Sequence, residues 1–216
     1  MKFKELFYIA NIIDYLRVVL LYLAYGSSGY TFAAYYSLSY ILDALDGPAA
    51  RALGQESRLG YYLDMVIDRV SSSLCLHSAA LSVLRGETFI PIGTATGVAF
   101  LLRSLIVMVE LIAHSVVMFL SEVRGVHQKE MGFDYRIVRM YLADKRCLFW
   151  ACVSFEWFGL GLIINSPLIV LATLPGFVFR AAANLCRLAA IASSDSRQQP
   201  AAKAPDGGSP GRSKAQ

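Results

Sequence analysis

Six apolar stretches, at about residues 6–25, 30–46, 60–84, 89–120, 147–165 and 167–191, follow one another with only short polar breaks between them. A helix that crosses a bilayer needs roughly 20 such residues. Lipid offers no water to an open backbone, so only helices and closed barrels can span it. These runs are too long and continuous for the alternating strands of a barrel. The expected fold is therefore all-α: a polytopic membrane protein with about six transmembrane helices, forming one domain over residues 1–192. A mean hydropathy of +0.50 with 17% charged residues agrees, being too apolar for a water-soluble globule of this length. Residues 193–216 change character, becoming rich in Ser, Pro, Gly and Lys, and are expected to form a disordered cytoplasmic tail.

The basic residues orient the spans. Lys2, Lys4, Arg51, Arg58, Arg124, Lys129, Arg136, Arg139, Lys145 and Arg146 fall on one side together with the tail, whereas the opposite loops offer only Arg85. By the positive-inside rule both termini and the loop after Arg51 are cytoplasmic. The net charge of +4 then reflects contact with membrane lipid head groups. No basic stripe interleaved with aromatics is present, so nucleic acid is not an expected partner. Cys75, Cys147, Cys152 and Cys186 lie in apolar runs without Cys-x-x-Cys spacing, which reads as free thiols.

Against this apolar background four carboxylates stand out: Asp43, Asp46, Asp64 and Asp68. Asp43 and Asp46 are spaced i,i+3 and Asp64 and Asp68 i,i+4, so on helices each pair projects from one face. A charged side chain within the membrane is costly and marks a functional site. Two such faces opposed would gather about four negative charges, which repel unless cations lie between them. Oxygen-only ligands suit Mg²⁺ or Mn²⁺, and a pair of such ions is a recurring device in phosphoryl transfer. A polar cavity open to the cytoplasmic side would hold this site.

The full pattern Asp43-x2-Asp46-Gly47-x2-Ala50-Arg51-x8-Gly60-x3-Asp64-x3-Asp68 resembles, without gap or substitution, the signature of the CDP-alcohol phosphatidyltransferases. Ala49 to Leu53, Arg58-Leu59-Gly60, Leu63-Asp64-Met65 and Asp68-Arg69 are similar to the eukaryotic phosphatidylinositol synthases within that family. So are Asn11-Ile12-Ile13 with Tyr15 and Arg17, and Val123-Arg124-Gly125. The resemblance implies transfer of the phosphatidyl group from CDP-diacylglycerol to myo-inositol, giving phosphatidylinositol and CMP. It implies two divalent ions, Mg²⁺ or Mn²⁺, at a site formed by Asp43, Asp46, Asp64 and Asp68, with Asp68 also the general base. Asn11, Gly47, Ala50, Arg51 and Gly60 are the implied nucleotide and CDP-diacylglycerol contacts. A homodimer in the endoplasmic reticulum, with the Golgi as an alternative, completes what the resemblance implies.

Chemistry is consistent with several of these roles. An alcohol attacks poorly until a base takes its proton, and the planar fork of Arg51 suits phosphate oxygens. Gly47 and Pro48 are expected to end the second helix. Ala50 and Gly60 are small either to admit the nucleotide or to pack helices.

Asp14 and Arg17, at i,i+3, are spaced to neutralise each other, but Asp14 has no counterpart in the signature and its role stays open. Glu110 and His114 share a face of the fourth span and are expected, with Arg124, to bind the acceptor. Lys129, Arg139 and Lys145 read as a solvated loop, and Arg180 and Arg187 as head-group anchors. Two alternatives remain at this point: another acceptor such as glycerol 3-phosphate or serine, and a divalent-cation transporter. An Arg51 beside a cation path argues against the second.

Overall fold

The computed structural model describes residues 3–90, 105–117, 119–120 and 135–192. Among these residues the chain is all-helical. A 3-10 turn, Phe3–Phe7, leads into α1 (Ile9–Tyr25), α2 (Gly29–Ala52) and α3 (Arg58–Leu84). Then follow α4 (Leu105–Val117), α5 (Arg136–Ala143), α6 (Lys145–Ile163) and α7 (Pro167–Ala192). The tail from residue 193, Arg124 and Lys129 lie outside the described residues.

α1 packs along α2 and α6 along α7, while α3 joins the two pairs through α1 and α6. Their meeting produces one apolar core containing Leu21, Phe32, Tyr36, Ile67, Cys75, Leu160 and Ile163. Burial in α1 recurs at Ala10, Asn11, Asp14, Arg17, Leu20, Leu21 and Ala24, a stripe of helical period. Its polarity is inverted relative to a soluble helix. Asn11, Asp14 and Arg17 point inward, whereas Ile12, Leu16, Val19 and Leu23 are exposed. α7 repeats the inversion, with Arg180, Asn184 and Arg187 buried and Leu168, Leu171, Val178 and Leu185 outside. An apolar exterior around a polar interior suits lipid as the surrounding solvent.

Of the expected spans, α6 and α7 combine length and apolarity sufficient to cross a bilayer, with mean hydropathies of 1.3 and 1.7. α1 has 17 residues, about 25 Å at 1.5 Å per residue, somewhat short of a hydrocarbon core of about 30 Å. α2 and α3, at 24 and 27 residues, are long enough but carry the motif's charges. Part of the stretch 89–120 lies outside the described residues.

Gly47 and Pro48 do not end α2, contrary to the sequence expectation: the helix runs through both to Ala52. A proline removes one ladder bond, and the following turn still closes, with Leu53 N donating to Ala49 O at 3.1 Å. The turn into α3 is then set by Gly54, at φ +60°, and by Ser57, whose Oγ accepts from Gly60 N at 3.0 Å as an N-cap.

Candidate active site

The i,i+3 and i,i+4 spacings place Asp43 with Asp46 on one face of α2 and Asp64 with Asp68 on one face of α3, and the packing turns both faces to α1. There they meet Arg17. Its Nη1 lies 2.9 Å from Asp14, 2.9 Å from Asp46 and 3.2 Å from Asp64. Its Nη2 lies 2.6 Å from Asp68 and also pairs with Asp43. The Arg17 side chain is 2% exposed. The sequence expectation that Arg17 neutralises Asp14 thus covers only one of five partners.

The carboxylates fall into two groups whose oxygens lie within 4.8 Å of one another: Asp14, Asp46 and Asp64, and Asp43, Asp64 and Asp68. Asp64 belongs to both. All donors are carboxylate oxygens, the set preferred by hard divalent cations, and a buried cation already sits among them as the Arg17 guanidinium. The residues therefore fit a divalent metal.

An open cleft of about 200 Å³ leads from Asp14, Asp46 and Asp64 between the start of α1, the end of α2 and the start of α3. All five expected nucleotide contacts, Asn11, Gly47, Ala50, Arg51 and Gly60, line it. Local contacts shape its wall. Ile9 N donates to Gln55 Oε1 at 2.8 Å, tying the start of α1 to the motif loop. Asn11 Nδ2 donates to Glu5 O at 2.6 Å. A Cβ on Gly47 would meet Arg51 Nη1 at 3.3 Å, so this glycine leaves room for the guanidinium to fold back along α2. A Cβ on Gly60 would come 2.7 Å from Asn11 Oδ1. The absence of a side chain at 60 thus serves the close approach of α3 to α1, and the same position borders the cleft.

A second polar group lies deeper, between α3, α4, α6 and α7. Glu110 accepts from Arg180 Nε at 2.7 Å. Nδ1 of His114 lies 3.0 Å from Glu110 Oε2 and 2.9 Å from its backbone carbonyl oxygen. Arg69 links this group to the carboxylate cluster, 3.6 Å from Glu110 and 3.7 Å from Asp68. Glu156 accepts from Tyr36 Oη and Ser72 Oγ, each at 2.5 Å, with Arg180 Nη1 at 3.9 Å. Asn184 is fully buried, and its Oδ1 accepts from Arg187 at 3.2 Å.

Arg180 and Arg187 are therefore not head-group anchors, as the sequence suggested. Each is 3% exposed, and Arg180 also stacks 4.3 Å over the Phe155 ring. Leaving Glu110 buried without a cation would cost more than burying Arg180 beside it. Arg69, Glu156, Arg180 and Asn184 were absent from the sequence-level site. Glu156 and Arg180 carried a legible signal, an ionisable residue inside an apolar run.

Comparison with known proteins gives three results. The profile of the CDP-alcohol phosphatidyltransferase family matches residues 7–166. The CDP-diacylglycerol–inositol 3-phosphatidyltransferase of Saccharomyces cerevisiae is 30% identical over 196 residues, covering 85% of this chain and 83% of the yeast protein. The rat enzyme of the same name is 31% identical over 157 residues, 70% of this chain and 67% of the rat protein, and the human one is similar to the same extent. No solved structure matches.

Proposed function

Since the chain belongs to the CDP-alcohol phosphatidyltransferase family, we propose that it transfers the phosphatidyl group of CDP-diacylglycerol to myo-inositol, releasing CMP. The observation that carries this is the opening of a cleft bearing Asn11, Gly47, Ala50, Arg51 and Gly60 directly onto the oxygen-only cluster. Family membership sets the cation-transporter alternative aside.

Arg51 and the amide of Asn11 hold the nucleotide diphosphate at the cleft mouth, the guanidinium pairing with phosphate oxygens. Asp43, Asp46, Asp64 and Asp68 would hold two Mg²⁺ or Mn²⁺ ions, which would supply charge neutralisation for the pyrophosphate and the departing CMP. An inositol hydroxyl attacks the lipid-linked phosphorus. A new P–O bond forms to inositol as the P–O bond to CMP breaks, and Asp68 takes the hydroxyl proton.

Inositol as acceptor is supported by the names of the similar eukaryotic enzymes and by the deeper polar group. Glu110, His114 and Arg69 begin next to Asp68 through the Arg69 bridge, within reach of a polyol held by hydrogen bonds. Glu110, committed to Arg180, orients that group, and His114 and Arg69, each paired with Glu110, are the members that meet the acceptor in this reading. Arg124, outside the described residues, is retained as a third acceptor contact.

The remaining proposals follow the family: a homodimer in the endoplasmic reticulum membrane, with the active site and both termini cytoplasmic and residues 193–216 a dispensable tail. Incubating the purified protein with CDP-diacylglycerol, Mn²⁺ and radiolabelled inositol, serine or glycerol 3-phosphate tests the reaction. Label should enter lipid from inositol alone, with CMP released. Preference for serine or glycerol 3-phosphate would keep the family and remove inositol.

A further inference from the structure

We propose that Asp14, which lies outside the family signature, is a fifth carboxylate of the metal site, ligating the cation held by Asp46 and Asp64 while Asp43, Asp64 and Asp68 hold the other. The inference rests on the metal reading above and extends it to a residue that reading does not use.

Four observations converge on Asp14. Its carboxylate completes a three-oxygen group with Asp46 and Asp64 that requires neither Asp43 nor Asp68, and the second group shares only Asp64 with it. One bridging carboxylate between two ligand sets is the arrangement of a paired-ion centre. Second, Arg17 divides its two amino nitrogens in nearly the same way. Nη1 takes Asp14, Asp46 and Asp64, and Nη2 takes Asp43 and Asp68. A cationic nitrogen already rests within bonding distance of the proposed triad.

Third, Asp14 is 2% exposed yet lines the cleft that also holds Arg51. A buried carboxylate facing a diphosphate repels it unless a cation stands between them. Fourth, the charges of the cluster and Arg17, taken before a diphosphate enters, balance with Asp14 included. Five carboxylates and one guanidinium leave four net negative charges, which two divalent ions neutralise. Four carboxylates would leave a surplus positive charge. If Asp14 served solely to neutralise Arg17, its removal would free guanidinium charge that touches every carboxylate of the cluster and so weaken both ions alike, whereas loss of a ligand weakens the one ion it holds.

The test is direct Mn²⁺ binding to the purified full-length chain in detergent, read from the electron paramagnetic resonance of free Mn²⁺. Wild type is compared with Asp14→Asn and Asp64→Asn. Wild type should bind two ions. Asp14→Asn should weaken one of them by ~10-fold or more, since even outer-shell losses cost that much, and Asp64→Asn should weaken both. An Asp14→Asn isotherm matching wild type overturns the inference while leaving the metal site intact. A wild type that binds no Mn²⁺ overturns the metal reading and the inference with it.

A second arm uses Asp14→Cys titrated with Cd²⁺, a soft ion that thiolates favour. Thiolate-to-metal charge-transfer absorption should rise above that of wild type, whose four cysteines serve as the baseline. It should saturate at one ion per chain. No excess absorption would also overturn the assignment, and this arm stands should Asp14→Asn fail to fold.

Discussion

Arg17 Nη2 donates to Asp68 Oδ1 at 2.6 Å, joining residues 51 positions apart in sequence. The same guanidinium holds Asp14, Asp43, Asp46 and Asp64. Arg17 is thus the counter-ion of the whole cluster, and without it these helix faces would repel one another. Arg17→Gln should destabilise the metal-free protein by about 3 kcal/mol, in the range for removing one partner of a buried ion pair. Added Mn²⁺ should restore part of the loss, because a ligand bound only to the folded state stabilises it. Thermal unfolding in EDTA and in Mn²⁺ measures both effects. Equal midpoints for Arg17→Gln and wild type in EDTA would remove the counter-ion role.

EDTA should abolish transfer, and Mg²⁺ or Mn²⁺ should restore it where K⁺ does not, because the ligand set is all carboxylate oxygen. Asp43→Asn, Asp46→Asn and Asp64→Asn should each be inactive at limiting metal. Initial rates across a metal titration check this, and wild-type behaviour in any one variant would withdraw that residue from the site.

Arg51→Lys should raise the KM for CDP-diacylglycerol and leave the inositol KM nearly unchanged. The charge survives but the planar fork is lost, so the defect should be partial. A rise confined to the inositol KM would move Arg51 to the acceptor side.

Asp68 and the deeper polar group should separate kinetically. Asp68→Asn should lower kcat steeply while both substrates still bind, as expected of a group acting in the transition state. His114→Ala should raise the inositol KM several-fold, since a hydrogen bond to a neutral group is worth ~0.5–1.5 kcal/mol. Glu110→Gln differs again: with Arg180 left short of its carboxylate, its main effect should be a lower unfolding midpoint. Loss of CDP-diacylglycerol binding in His114→Ala would place α4 on the nucleotide side.

Much of the site was readable because local spacing carries it. The i,i+3 and i,i+4 intervals of Asp43, Asp46, Asp64 and Asp68 specify which side chains share a helix face, and two faces of like charge imply a cation between them. Which cation fills that place depends on the tertiary crossing of α1, so the five-way role of Arg17 was not legible from its i,i+3 partner alone. The burial of Arg180 likewise depends on Glu110, 70 positions away, and no local pattern records that pairing. Gly47 and Pro48 misled in the opposite direction. Their intrinsic preference is to stop a helix, and the packing of α2 against α1 overrides it.

The inverted layering of α1 and α7 has a consequence for mutational tolerance. In a water-soluble protein the exposed positions are the permissive ones and the interior admits mainly apolar exchanges. Here Leu16, Val19, Leu171 and Val178 face outward, and a Lys or Asp at the depth of the bilayer centre costs about 2.5–3.5 kcal/mol on insertion scales. Exchanges among Leu, Ile, Val and Phe at those positions should pass almost unnoticed. The buried Asn11, Asn184 and Arg180 have no such latitude, because each side chain answers a specific partner. A saturation scan of this chain should therefore show its strictest chemical demands on the inside and its strictest demand for greasiness on the outside, the reverse of the pattern that water imposes.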